Sequence, residues 1–175
     1  MKRFELFEFE DQTWFPDWMR VAMTKVLVVM NQAMGTDIAI ANLIQPLLKR
    51  NNTNQIVDLG SGAGGAMPSV LKIIDQNEGI NAVELTLTDL YPNSDAIQKF
   101  KENGRVNYLE ASVDATLSGQ APNGVKTIVN AFHHLSPDNA KLSLKSAAES
   151  KEPLLVFEMA DNNIPTIGWV LFLPI

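Results

Sequence analysis

The sequence predicts an α/β protein built on an open, mostly parallel sheet, with helices on both faces and a helical cap at the N-terminus. Strand-like and helix-like segments alternate from residue 55 onward, which is typical of parallel strands joined by right-handed crossovers. A cluster of glycines follows the first of these strands. The 175 residues are 46% hydrophobic and 19% charged, a balance that suits a globular chain with a sizeable core and disfavours disorder.

The composition also excludes several classes of function. The chain carries 14 basic and 20 acidic residues and has no Lys/Arg-rich stripe, so we expect no nucleic-acid partner. The absence of cysteine excludes disulfides, thiolate zinc sites and a cysteine nucleophile. It is compatible with a reducing cytoplasm, where we expect the protein to reside. Because the chain has only two histidines, no metal site is predicted.

The region up to residue 50 predicts two helices. Residues 17–34 are mostly apolar, their apolar side chains recur at helical spacing, and Gly35 can end the helix that they form. A second helix is predicted from residue 36 or 37 to about Arg50, and Pro46 should kink or interrupt it.

A polar break at residues 51–54 separates this predicted cap or lid, residues 1–50, from the predicted sheet domain, residues 51–175. Within the sheet domain, short apolar segments predict strands and longer amphipathic segments predict helices. The predicted strands cover 55–59, 82–88, 106–111, 125–131 and 153–159, and the predicted helices cover about 65–77, 93–103 and 137–149.

The most informative segment is the glycine cluster after the first strand, VDLGSGAGG. Glycines at a strand-to-helix turn let a ligand approach the main chain, and the following helix offers free N–H groups. The spacing Gly60-x-Gly62-x-x-Gly65 fits a dinucleotide-binding fingerprint, whereas Asp58-x-Gly60-x-Gly62-x-Gly64 adds an acid before the first glycine. A carboxylate there suits a ligand with an ammonium or sulfonium group and repels a pyrophosphate. A plain glycine turn with Asp58 as a helix cap is the remaining interpretation.

Several segments, in order, resemble the class I S-adenosylmethionine-dependent methyltransferases over roughly residues 55–160. VDLGSGAGG is similar to the first motif of that family, and LTLTDLYP to its second strand and the acid that follows. EASVDA is similar to its adenine-contacting segment, VNAFHHL to the block beside the methyl donor, and LLVFEMAD to its fifth strand. The resemblance implies a Rossmann-like, three-layer αβα fold and S-adenosylmethionine as the cofactor.

The resemblance also implies which residues bind that cofactor. Asp89 would bind the two ribose hydroxyls, because a carboxylate can accept both protons at once. The implied cofactor-binding residues are Asp58, Gly60, Ser61, Gly62, Gly64, Asp89, Leu90, Ser112, Val113, Asp114, Asn130 and Ala131. Asp89 could instead start a turn, and Asp114 could instead cap a short helix. Asn130 stands where many members of the family carry an acid, which argues against a carboxylate base at that position.

His133 and His134 are the candidate catalytic residues, because they follow the fourth strand at the sheet edge where ligands bind. Histidine is suited to proton transfer near neutral pH, so one of the two can act as a base or orient the acceptor. In the other interpretation each imidazole packs under the cofactor and bonds a backbone carbonyl. A metal at this pair is not expected, since adjacent side chains diverge and no third ligand is evident.

The acceptor is the least readable part of the sequence. Aromatic and methionine side chains are frequent before residue 35, which favours either a small apolar or lipid-like acceptor, a membrane contact, or a cap buried on the domain. Residues 162–175 carry no charge but are too few to span a bilayer, which needs about 20 apolar residues. Association with a membrane through this tail or the cap is left open. The family's sheet has two further strands after the fifth, so we expect a truncated chain.

The sequence therefore predicts a methyltransferase that acts on a small-molecule or lipid-like acceptor. An inactive module that binds S-adenosylmethionine or a nucleotide is the first alternative. An NAD-dependent oxidoreductase is the second, and it is less favoured because the distance from Asp58 to Asp89 exceeds the roughly 20 residues of a dinucleotide unit.

Overall fold

A computed structural model describes residues 33–76 and 82–159. It also describes single residues of the N-terminal region, which are Trp14, Pro16, Trp18, Met19, Ala22, Lys25, Val26, Val28 and Val29. Half of the residues of the first predicted helix and the uncharged segment 162–175 lie outside the described residues.

The predicted alternation of strands and helices is confirmed. The helices are α1 (Thr36–Arg50), α2 (Met67–Gln76), α3 (Ser94–Phe100) and α4 (Pro137–Ser150). The strands are β1 (Gln55–Leu59), β2 (Glu84–Thr88), β3 (Val106–Tyr108), β4 (Val125–Val129) and β5 (Leu154–Phe157). Two 3₁₀ helices, Ala115–Gln120 and Phe132–His134, are present in addition to these elements. Strands β2 to β5 are shorter than predicted.

The five described strands form one parallel sheet in the order β3-β2-β1-β4-β5. The first strand, β1, lies in the middle of the sheet. Strands β2 and β3 follow on one side of it, and the chain then crosses to the other side, where β4 and β5 lie. Ligands of such sheets bind at this switch, outside the carboxyl ends of the central strands. The predicted Rossmann-like open sheet is confirmed, and its glycine cluster lies at the switch point.

Both faces of the sheet are covered, which confirms the three-layer arrangement. On one face, α1, α2 and α3 pack against inward-pointing residues of the strands, including Ile56, Leu85 and Val125. On the other face, Val57 and Ile128 contact the segment around the 3₁₀ helix Ala115–Gln120, and α4 packs against that helix. Alternation of side chains along each strand sorts these residues into the two layers.

Helix α1 belongs to the same core as the sheet. Gly35, with φ of +66°, separates it from the preceding chain, as predicted. The predicted interruption at Pro46 is wrong, because α1 continues through this residue to Arg50. Pro46 lies on the exposed side, while Ile44 and Leu48 on either side of it are fully buried. Proline has no N–H to donate, so the helical turn at Pro46 lacks one backbone hydrogen bond. Burial of Ile44 and Leu48 stabilises this turn.

Candidate functional site

Asp58 lies in the middle of a row of side chains that crosses the sheet. The register pairs Tyr108 with Leu87, Leu87 with Asp58, and Asp58 with Thr127, so these four side chains share one face. Asp58 is only 3% exposed, and each of its carboxylate oxygens accepts a hydroxyl hydrogen bond. Thr127 Oγ1 donates to Oδ1 at 2.6 Å, and Ser61 Oγ donates to Oδ2 at 2.7 Å.

Burial raises the pKa of Asp58 from 3.8 to about 6, and the nearby Asp89 carboxylate acts in the same direction. The hydrogen bonds from Thr127 and Ser61 favour the charged form and lower the pKa, but they offset only part of the desolvation. The interpretation of Asp58 as a helix cap is wrong, because it lies inside β1 and the next helix begins at Met67. Its predicted contact with a cofactor stays a prediction.

Ser61 fastens the glycine loop to the end of β2. Its backbone N–H donates to the Thr88 carbonyl at 2.9 Å, and its hydroxyl oxygen accepts from the Thr88 N–H at 3.2 Å. The Thr88 hydroxyl in turn donates to the Asp58 carbonyl at 2.8 Å. The start of the loop is therefore held by main-chain and side-chain bonds that do not depend on a ligand.

At two positions of the loop only glycine fits, because φ is positive and a neighbouring side chain leaves no room for a Cβ atom. At Gly60, φ is +74°, and a Cβ atom would lie 3.1 Å from the Cβ of Ala131. At Gly64, φ is +105°, and a Cβ atom would lie 2.7 Å from Cε2 of Phe100. A Cβ at Gly62, in contrast, would meet no atom within 4 Å. The loop is thus packed at both ends and open at its tip.

Asp89 faces this open tip from the carboxyl end of β2. Its Oδ2 accepts a hydrogen bond from the Gly62 N–H at 2.8 Å, and its Oδ1 accepts one from the Tyr91 N–H at 2.9 Å. The second contact is the turn that the alternative interpretation predicted. The first contact joins Asp89 to the glycine loop. Asp89 therefore both starts a turn and contacts the loop. Each carboxylate oxygen can still accept a further hydrogen bond.

The predicted residues of the third segment lie beside Asp89. The Val113 N–H donates to the Asp89 carbonyl at 2.9 Å, and the Ser112 hydroxyl donates to the Leu90 carbonyl at 2.7 Å. Asp114 caps the 3₁₀ helix that follows it, accepting from Thr116 N–H at 2.8 Å, so the helix-cap interpretation is confirmed. Adenine binding by this segment stays a prediction.

The block after β4 approaches the glycine loop from the other side. Asn130 has φ of +52°, and its Oδ1 accepts from the Met159 N–H at 2.8 Å, while its own N–H donates to the Phe157 carbonyl at 2.8 Å. These bonds fix the turn that places Ala131 against Gly60. The predicted residues from β1, β2 and β4 are therefore brought together at one edge of the sheet.

The two candidate catalytic histidines follow β4, and His133 pairs with a carboxylate. His133 Nδ1 lies 2.7 Å from Oε2 of Glu158, and the other oxygen of that carboxylate accepts from the Phe132 N–H at 2.7 Å. The ring centroids of His133 and His134 are 4.2 Å apart, with their planes at 34°. Glu158 thus orients the imidazole of His133.

Sequence reasoning missed three residues of this site: Thr127, Glu158 and Tyr108. Thr127 is a buried polar residue in the middle of β4, next to the equally buried Lys126, and two polar residues inside a predicted buried strand are the signal that could have drawn attention to it. Glu158 directly follows β5, and the parallel pairing of β4 with β5 brings the ends of the two strands together. Tyr108 ends β3, and its hydroxyl donates to the Gly62 carbonyl at 2.8 Å.

Within the part of the chain that the structure describes, no three His, Asp or Glu side chains gather as a metal would require. Over the same residues, no helix has the length and apolar character needed to cross a membrane.

Comparisons with known proteins found similarity in structure only. No family model and no curated protein sequence matches the chain. The CMeT domain of the citrinin polyketide synthase is 21% identical, with a TM-score of 0.46 over 67% of this chain and 31% of that chain. The methyltransferase domain of bacterial CtHen1-C is 17% identical, with a TM-score of 0.44 over 66% of this chain and 62% of that chain. The chain spans less than two thirds of the length of either protein.

Proposed function

We propose that the chain is a class I S-adenosylmethionine-dependent methyltransferase and that the glycine loop and Asp89 bind the cofactor. The observation that carries the proposal is the pair of carboxylates around the loop. Asp58 lies beneath it, bonded to Ser61, and Asp89 lies at its tip, bonded to Gly62. Two negative charges favour a ligand with a sulfonium and an ammonium group over an anionic one.

The same contacts argue against a dinucleotide. A pyrophosphate needs free N–H groups of the glycine loop and of the helix that follows. Here the Gly62 N–H donates to Asp89, and the Gly64 N–H donates to the Ser61 carbonyl at 2.8 Å. Two of the loop's donors are thus already used inside the protein, and the carboxylate at the tip would repel the phosphates.

The residues present fit the proposed cofactor. The space beside Gly62 is open, so the main chain can be approached closely there. The remaining lone pairs of Asp89 suit two neighbouring hydroxyls, such as those of a ribose. Leu90, whose side chain is 43% exposed, offers apolar surface next to Asp89. When bound, S-adenosylmethionine would supply an activated methyl group for direct displacement.

The chain's own residues would then align the acceptor and take its proton. We infer that His133 is the base, because Glu158 bonds its Nδ1 and would stabilise the protonated imidazole. This pairing favours an enzyme over an inactive binding module. The acceptor would be a small or lipid-like molecule whose nucleophilic atom carries a proton.

Calorimetric titration tests the cofactor assignment. The chain should bind S-adenosylmethionine and should not bind NAD. Asp89→Ala should weaken binding at least tenfold, because both the ribose acceptor and the bond to the Gly62 N–H are lost. Glu149→Ala is the control, since Glu149 is exposed on α4 and pairs with Lys145 at 3.6 Å. Binding of NAD, or no effect of the Asp89 substitution, would overturn the assignment.

Turnover separates the enzyme from a binding module. The chain should produce S-adenosylhomocysteine when small-molecule and lipid extracts are supplied as acceptors, and His133→Ala should abolish this production while cofactor affinity is kept. Binding without turnover against both extracts would support the inactive module instead.

A further inference from the structure

Tyr108 is a buried residue with a polar group aimed at the glycine loop. Its side chain is 4% exposed, and its hydroxyl donates to the Gly62 carbonyl at 2.8 Å. The same hydroxyl oxygen accepts from the Asn93 N–H at 3.4 Å, which orients it. Burial raises the pKa of Tyr108 to about 12, so the hydroxyl stays a donor at physiological pH.

Gly62 is consequently held from both sides. Asp89 bonds its N–H and Tyr108 bonds its carbonyl, so the two peptide groups that flank this residue are each fixed by a side chain. A Cβ atom at Gly62 would meet no atom within 4 Å, and its φ is +52°. The tip of the loop is therefore held by hydrogen bonds from Asp89, just after β2, and from Tyr108 at the end of β3, which lie 27 and 46 positions further along the chain.

We propose that Tyr108 is a positioning residue that sets the tip of the glycine loop in its binding conformation before the cofactor arrives. The inference rests on the proposed function, since it assumes that S-adenosylmethionine binds at this loop. A loop ordered in advance loses less conformational freedom on binding, so the contact increases affinity without Tyr108 touching the ligand. Loss of the hydroxyl should leave the loop attached at Ser61 but free to move at Gly62.

Tyr108→Phe removes the hydroxyl and keeps the ring in the core. We expect S-adenosylmethionine and S-adenosylhomocysteine to bind roughly 3- to 10-fold more weakly, the worth of one hydrogen bond. Amide hydrogen exchange over residues 60–65 should speed up in the free protein and return to the wild-type rate when the cofactor saturates the site. Val106→Ala is the matched control on the same strand, because it opens a cavity in the core without touching the loop.

The outcomes distinguish the positioning role of Tyr108 from the proposed binding of S-adenosylmethionine. If the wild type binds S-adenosylmethionine and Tyr108→Phe binds it equally well with unchanged exchange at residues 60–65, the positioning role is overturned. If Val106→Ala weakens binding as much as Tyr108→Phe, the effect is one of general stability and the positioning role is again overturned. If the wild type does not bind S-adenosylmethionine, the proposed function fails, and the inference fails with it.

Discussion

The hydroxyl of Thr127 donates a hydrogen bond of 2.6 Å to the carboxylate of Asp58, across the junction between β1 and β4. This bond ties the switch point of the sheet to the residue that lies beneath the glycine loop. Because the carboxylate is buried and its pKa is raised to about 6, its charge is costly to the fold. That cost suggests that the charge is kept for a reason other than stability.

The buried Asp58 predicts an unusual dependence of stability on pH. Its pKa in the folded chain, about 6, exceeds the 3.8 of the unfolded chain, so the folded state holds the proton more tightly. The resulting stabilisation is fully present below pH 3.8 and is lost as the pH rises through about 6. Urea unfolding of Asp58→Asn and wild type should therefore diverge over this window, by about 3 kcal/mol in favour of the variant at pH 8.

An asparagine can occupy this site because its amide can donate to Ser61, whose hydroxyl can turn to the Asp58 carbonyl 3.1 Å away. Thr127→Val tests whether the pKa of Asp58 causes this pH dependence. It removes a bond that lowers the pKa of Asp58, so the window should move to higher pH. Parallel stability curves for wild type and Asp58→Asn between pH 4 and pH 8 would contradict the prediction.

Gly62→Arg should fold and yet lose its cofactor. The position is open, so the cost to the fold is the positive φ, about 1–2 kcal/mol for a residue with a side chain. The arginine would occupy the space beside Asp89 and should weaken S-adenosylmethionine binding roughly 100-fold or more. Calorimetry gives the affinity, and circular dichroism checks the fold. Wild-type affinity in a folded variant would place the ligand elsewhere.

Gly64→Ala, in contrast to Gly62→Arg, should mainly lower the stability of the fold. The new Cβ would meet the ring of Phe100 at 2.7 Å, and φ of +105° is unfavourable for alanine. We expect a loss of about 2–4 kcal/mol in the free energy of unfolding. In a Phe100→Leu background, where the ring is absent, the added cost of Gly64→Ala should be smaller. Equal costs in the two backgrounds would show that the contact with Phe100 is not the cause.

Glu158→Gln should lower turnover while leaving cofactor binding intact. The amide keeps a partner for His133 Nδ1 but removes the negative charge that would stabilise a protonated imidazole. We expect a fall in the rate of S-adenosylhomocysteine formation of roughly 10- to 100-fold, with unchanged affinity for S-adenosylmethionine. The deficit should shrink toward high pH, where the acceptor loses its proton to solvent and no longer needs a base. A loss that is independent of pH would indicate a purely structural role.

The sequence could predict the features that depend on neighbouring residues. The glycine spacing, the acid before it, the turn at Gly35 and the order of strands and helices are all local signals. Asp89 directly follows a predicted strand, but its role toward ribose comes from the family resemblance and stays a prediction. Its bond to the Gly62 N–H could not be predicted from the sequence.

The partners of these residues depend on strand register, which is not a local property. Thr127 faces Asp58 and Tyr108 lies in the same row only because each strand pairs as it does, and a slip of one residue would turn either side chain to the other face. The pairing of His133 with Glu158 needs two adjacent strands to end at the same level. Helix α1 is not interrupted at Pro46, because packing in the core outweighs the local preference of proline.

The row that crosses the sheet also constrains how the site can form during folding. Thr127 and Asp58 are separated by 69 positions along the chain, and Tyr108 and Gly62 by 46. Contacts between such distant residues form late, since long loops must close first. The glycine loop should therefore acquire its shape only when β1 to β4 have paired. A nascent chain released before β4 emerges would present the glycine motif without a competent site.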